Sequence, residues 1–214
     1  EDVVVRNEKK LLEEHGHEVF TYYRSNKELN EGNKLKKLFI PFTAVYSLKT
    51  CREVKKIIRE NKIDIVHVHN TLTMVSPSVF YAAFRCKVPV VQTLHNFRML
   101  CPAGSFFRNN VICEECVDGG LKCAIRHKCY RGSKIQTMVS SAILWIHRFL
   151  GTYYRVNFIC LTEFNKNKLL SSLGYTSIQR YSLPLRHENG TEVRGTLFIA
   201  GTPKEKTDAQ RRAD

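Results

Sequence analysis

Three short, nearly apolar runs set the limits on how this chain can fold: Asp64-Ile65-Val66-His67-Val68-His69, Val88 to Leu94, and Phe158-Ile159-Cys160-Leu161-Thr162. Runs of this length, rich in β-branched residues, read as strands. Mostly apolar strands need cover on both faces, which a parallel sheet flanked by helices supplies. Helical periodicity fills the intervals. Val3 to His15 sets Val4, Leu11 and Leu12 against Glu8, Lys9 and Glu13, and Gly16 stops it. Ser47 to Asn61 places Leu48, Cys51, Val54, Ile57 and Ile58 on one face. Pro77 suits the first turn of a helix running to about Cys86. Ile135 to Tyr153 is a long apolar helix, and Glu163 to Leu173 another that closes at Gly174. The alternation predicts an α/β fold with a doubly wound parallel sheet. His17 to Tyr23 reads as a further strand, Ser25 to Lys34 as a turn-like segment, and Thr196 to Ala200 as one strand in a tail whose pattern decays.

In open parallel sheets, ligands bind beyond the carboxyl ends of the strands. His67, His69 and Asn70 stand at one such end, and His95 and Asn96 at the next. His67 and His69 share a sheet face because side chains alternate with a period of two. A histidine there can hydrogen-bond a hydroxyl or phosphate, or move a proton near neutral pH; equally, it can simply cap the sheet.

These strand ends carry a resemblance. Asp64 to His69, Val90-Val91-Gln92-Thr93-Leu94-His95-Asn96, and Phe158-Ile159-Cys160-Leu161-Thr162-Glu163-Phe164 are similar to successive strands of family 4 glycosyltransferases. The resemblance covers about residues 1 to 175, with Thr93-x-His95 its most specific piece. It implies the Rossmann-like N-terminal, acceptor-side half of a GT-B fold, with residues 176 to 214 a tail or interdomain remnant. It further implies a retaining transfer of a sugar, of hexosyl type, from a nucleotide sugar to a saccharide or lipid-linked acceptor, as in polysaccharide biosynthesis. His95 inherits the catalytic place beside the transferring sugar, and His69, Asn70, Asn96, Thr162 and Glu163 the substrate-binding places. Thr162 also reads as a helix N-cap. Two departures are expected to matter. The family's Gly-Gly loop would precede Glu1, and its pair of glutamates eight positions apart has no counterpart in this sequence. The chain is therefore expected to be inactive without a donor half.

Residues 97 to 133 break the rhythm and hold five of the eight cysteines. Cys113-x2-Cys116-x6-Cys123-x5-Cys129, with Cys101 upstream and His127 as a substitute ligand, is the pattern of a structural zinc site. Such a Cys-rich insertion has little apolar content, so a metal would help order it. Free thiols, or disulfides if the protein is exported, remain the alternative.

The formal charge is +14, from 34 Lys and Arg against 20 Asp and Glu. That attracts phosphate in any form. It favours a zinc-stabilised nucleic-acid-binding module only as a rival reading, because the strand-end histidines have no role in one; nucleic acid is not the expected partner. No stretch is long and apolar enough to span a bilayer, and the N-terminal residues do not resemble a signal peptide. The expected location is cytoplasmic, with peripheral contact at an anionic membrane as an option. The helix from Ile135, with Trp145 and basic neighbours, could make that contact, although burial is the commoner fate of so apolar a helix. Lys34 to Lys37 and Lys55-Lys56 are the other basic candidates.

Overall fold

The computed structural model describes residues 2–24, 39–71, 75–173, 178–186 and 192–200. Ser25 to Lys34, the Lys34 to Lys37 cluster and Gly174 lie outside them. The chain forms two compact units, Glu1–Val88 and Pro89–Asp214.

The first unit contains helices α1 (Asp2–Glu14), α2 (Ile40–Val45), α3 (Leu48–Glu60) and α4 (Ser78–Cys86), with strand β1 (Val66–Val68). Helix α3 follows its sequence signals closely. Ser47 caps it by accepting a hydrogen bond from the Thr50 amide at 3.1 Å, and Cys51, Val54 and Ile58 are buried. Its neighbour α4 buries Val79, Phe80, Ala82 and Ala83, and Phe80 is fully enclosed. Burying a side chain of that size stabilises the fold by about 1.5–3 kcal/mol. Ser76 ties the two helix starts together: its hydroxyl accepts from the Ser47 amide at 3.0 Å and meets the Ser78 hydroxyl at 2.7 Å. Residues 17–24, expected as a strand, are extended but pair with no strand among the described residues. Side chains anchor them instead. Tyr22 donates to Glu53 of α3 at 2.7 Å, and Arg24 lies 3.9 Å from the same carboxylate.

The second unit opens with β2 (Val90–Leu94), continues through the Cys-rich segment, and resumes with α7 (Lys134–Phe149), β5 (Asn157–Cys160) and α8 (Glu163–Leu173). Strands β2 and β5 are parallel neighbours with Leu94 opposite Cys160. The Asn157 side chain adds a hydrogen bond to the Val90 carbonyl at 3.1 Å. Phe158 and Val90 lie in the core of the unit. Parallel strands joined through helices fit an α/β, Rossmann-like arrangement.

The tail departs from the expected single strand. It forms β6 (Ile178–Arg186) and β7 (Glu192–Ala200), paired antiparallel with each other, and β7 runs antiparallel to β5. A short connection between consecutive strands requires that direction. Pro184, which argues against a central strand, sits in β6 at the sheet edge, where a missing amide donor is tolerated.

Helix α7 ends earlier than its apolar run. Gly151 adopts φ +63° and turns the chain into a 3₁₀ turn, Thr152–Arg155. The helix buries Ile143, Leu144 and His147 but leaves Ile135, Met138, Trp145 and Phe149 well exposed. The expected full burial therefore holds for one face only. No helix among the described residues is long and apolar enough to cross a membrane.

Within the Cys-rich segment lie a small hairpin, β3 (Phe107–Arg108) with β4 (Val111–Ile112), and two short helices, α5 (Glu115–Asp118) and α6 (Lys122–His127). Asn109 and Asn110 both take positive φ, as a two-residue type I′ turn requires. Leu100, Cys101 and Phe106 form a small core beneath them, with Phe97 and Val117 packed against it.

Candidate functional site

In the second unit, the β2–β5 register decides what the strand ends bring together. With Leu94 opposite Cys160 on parallel strands, the segments carrying His95 and Asn96 and carrying Leu161, Thr162 and Glu163 leave the sheet at the same end. The rings of Phe97 and Phe164 meet edge-to-face at 5.7 Å, fastening the two post-strand segments to each other. His95 and Asn96 are half-buried, whereas Thr162 and Glu163 are exposed. Asn96 accepts a hydrogen bond from the Arg98 amide at 3.0 Å, shaping the turn after β2. Thr162 accepts from the Asn165 amide at 3.1 Å and so caps α8, while Glu163 pairs with Lys166 at 2.9 Å. Thr162 and Glu163 thus have local structural work as well as a place at the strand ends.

Arg98 was not anticipated. Its guanidinium lies 5.4 Å over the Tyr130 ring, and its Nε and Nη1 are buried without a hydrogen-bond partner. Gly104 packs beside it, 3.6 Å from Arg98 Nη2 and from Asn96 Oδ1 to an added Cβ. A basic residue three positions past His95 was the only sequence signal available.

In the first unit, His67 and His69 do project on one side of β1, with ring centroids 4.5 Å apart. Glu8 of α1 meets both. One of its oxygens, Oε2, lies 3.0 Å from His69 Nε2 and 3.8 Å from His67 Nδ1. Asn70 follows, half-buried. In the sequence Glu8 reads only as part of the charged face of its helix, and its separation from β1 hides the contact.

The profile of Glycosyltransferase Family 4 matches residues 2–178. The chain belongs to that family. It carries a glycosyltransferase domain, so its chemistry is group transfer, with a saccharide-type acceptor in general. No curated protein and no solved structure shows significant similarity to the chain.

The matched region of this family 4 chain includes the Cys-rich segment. All of its cysteines are free thiols. Burial, reinforced by neighbouring Cys101, Cys129 and Cys123, pushes the Cys116 thiol up to about 11. Burial and then Cys101 and Cys113 raise Cys129 in the same direction. Cys101, outside the expected four, is therefore an electrostatic neighbour of both. Cys123 packs on Gly119, where an added Cβ would stand 2.9 Å from its sulfur. No three of these sulfurs have closed to within 4.8 Å of one another. His127, the substitute ligand, instead sets Nε2 3.1 Å from Glu115 and Nδ1 3.3 Å from Arg108. Arg108 also bonds Glu115 directly. Burial works against the Glu115 charge, yet Arg108 and His127 hold its carboxyl below the usual range.

Proposed function

We propose that this domain supplies the acceptor side of a retaining glycosyl transfer from a nucleotide sugar to a saccharide or lipid-linked acceptor. The observation that carries the reading is the shared β2–β5 strand end, from which the segments holding His95 and Asn96 and Thr162 and Glu163 both depart, in a chain of this family. His95 is the catalytic residue, hydrogen-bonding the reacting sugar so that charge developing in the transition state is stabilised. Asn96, Thr162 and Glu163 bind acceptor hydroxyls; His69 and Asn70, which belong to the first unit, are assigned to substrate binding by the family resemblance alone. Arg98, with buried nitrogens lacking a partner, favours an acceptor that carries an anionic group.

The test is binding of saccharides and lipid-linked saccharide phosphates to the full chain, followed by NMR, with duplex DNA as the control. Saccharide binding that weakens in His95→Ala supports the reading. Salt-sensitive binding of DNA, with none of saccharide, overturns it in favour of a nucleic-acid module. In the active enzyme, His95→Ala should lower kcat by about 100-fold or more, as loss of a charge-stabilising donor does.

We also infer a structural zinc in the Cys-rich segment, from the Cys113-x2-Cys116-x6-Cys123-x5-Cys129 spacing, with Cys116 and Cys129 both electrostatic neighbours of Cys101. Metal analysis finding well under one equivalent of zinc would sink that assignment. A cytoplasmic location with peripheral contact at an anionic membrane belongs to the same proposal. Its support is the exposed apolar stripe of α7.

A further inference from the structure

Among the described residues, Glu8, His67 and His69 are the one set of three or more His, Cys, Asp or Glu side chains whose donor atoms all lie within 4.8 Å of one another. Two imidazoles and a carboxylate are a donor set that zinc-class divalent ions accept, leaving a fourth position for water. A tetrahedral ion with bonds of about 2.0–2.1 Å holds its ligand atoms about 3.3–3.5 Å apart. The contacts here, 3.0 Å and 3.8 Å to one Glu8 oxygen, fall on either side of that spacing. Rotamer adjustments of about 1 Å would complete the set, which is within ordinary side-chain freedom.

The scaffold suits the task. His67 and His69 are fixed on one side of β1 by the strand period, and Glu8 stands on the regular helix α1. Ligands carried on helices and strands are held more closely than ligands on loops. The three side chains are 28%, 13% and 35% exposed for His67, His69 and Glu8. That is enough shielding to strengthen binding and enough access for an ion and a water to enter.

A salt bridge alone accounts for less. One proton shared between His69 and Glu8 explains the 3.0 Å contact. It gives no reason for a second imidazole ring 4.5 Å away, and two imidazolium charges at that distance repel. A shared cation takes both rings neutral and turns them towards one point.

We propose that Glu8, His67 and His69 bind a divalent transition-metal ion of the zinc class, clasping α1 to β1. The site shares His69 with the substrate-binding role proposed above, but its test does not rest on that reading, and it is distinct from the thiols of the Cys-rich segment.

The purified full chain is titrated with cobalt(II) chloride at about pH 7.5, above the ordinary imidazole pKa of about 6.5. The expected result is visible d–d absorption that Glu8→Gln diminishes, whereas any thiolate charge-transfer band, which would come from cobalt in the Cys-rich segment, is unchanged by that substitution. Glu8→Gln, which keeps the side chain's size, should weaken binding by about tenfold or more, as should His69→Ala; even outer partners of metal ligands act on that scale. Far-UV circular dichroism checks that each variant is folded, and Glu8→Gln decides the matter if His69→Ala is not. Cobalt absorption of thiolate type only, no visible absorption at all, or affinity unchanged in a folded Glu8→Gln chain would each overturn the site. None of these outcomes depends on whether the chain transfers sugar.

Discussion

The α3–α4 pair of the first unit and the Cys-rich segment of the second are ordered by different means. The helix pair is held by apolar side chains at regular spacing, with Val54, Ile58, Val79 and Phe80 enclosed. The Cys-rich segment takes its course from turns. Eight of the twelve described residues with positive φ fall within it, among them Phe106, Asn109 and Asn110. Polar bonds fasten the segment to its surroundings. Ser140 of α7 donates to the Pro102 carbonyl at 2.9 Å, and the half-buried guanidinium of Arg148 donates to the Met99 carbonyl, 3.1 Å from Nε. Burial lowers the Arg148 pKa. Periodic burial tolerates small local errors, whereas a fold built from turns depends on each bond and each φ value.

The largest expected effect lies on the periodic side. Phe80→Ala should cost about 3–5 kcal/mol in urea unfolding, the usual toll for emptying a fully enclosed aromatic site. Arg148→Met should cost about 2 kcal/mol, because hydrogen bonds from a charged group are lost and a buried carbonyl is stranded. If Arg148→Met matched Phe80→Ala, polar fastening would rival the apolar core and the contrast would need redrawing. Gly119→Ala follows at about 1.5 kcal/mol, through overpacking against Cys123 and the Glu115 carbonyl rather than through backbone strain, since its φ is −90°. Ser47→Ala and Ser133→Ala remove N-caps from α3 and α7. Each should cost about 1 kcal/mol, and a large difference between them would show that capping matters more beside the turn-built segment.

One effect is nil at neutral pH and grows in alkali. Cys116 in the turn-built segment and Cys160 in β5 are both pushed up to about 11, chiefly by burial. An unfolded thiol titrates near 8.5. The folded state therefore binds more protons between those values, so its stability is full below about pH 8.5 and declines as pH rises towards about 11. Thermal melts across that range should show the decline. If zinc occupies the Cys-rich segment, added metal should remove the Cys116 share and leave the Cys160 share intact.

The same contrast explains what could be read from the sequence. Helix α3 was legible to its caps, Ser47 and Asn61, and in the buried Cys51, Val54 and Ile58, although Leu48, expected on the same face, is exposed. The strand that leads into His95 was legible because it is a short, mostly apolar run, with Gln92 and Thr93 as its polar residues. The hairpin at Asn109-Asn110 went unread although its turn residues are suited to type I′, because the flanking strands are two residues each and show no period. Glu8 could not have been paired with His67 and His69 from sequence, since nothing local to a helix face announces a strand far along the chain. That the segments holding His95 and Thr162 leave neighbouring strands at the same end likewise needed the β2–β5 register. The strand at His17 to Tyr23 was misread because β-rich composition signals extension, while a strand also needs a partner.

Trp145 is the sole tryptophan of the chain. It stands 62% exposed on α7, its ring stacked on Phe149 at 5.6 Å. Intrinsic fluorescence excited at the indole band therefore reports on one helix face, with no second emitter to dilute it. Whatever settles on that stripe, a lipid headgroup layer or another protein surface, changes the polarity around one indole and shifts one emission maximum. The molecule thus carries its own optical gauge on an exposed apolar stripe, and a simple vesicle titration can read it without a label.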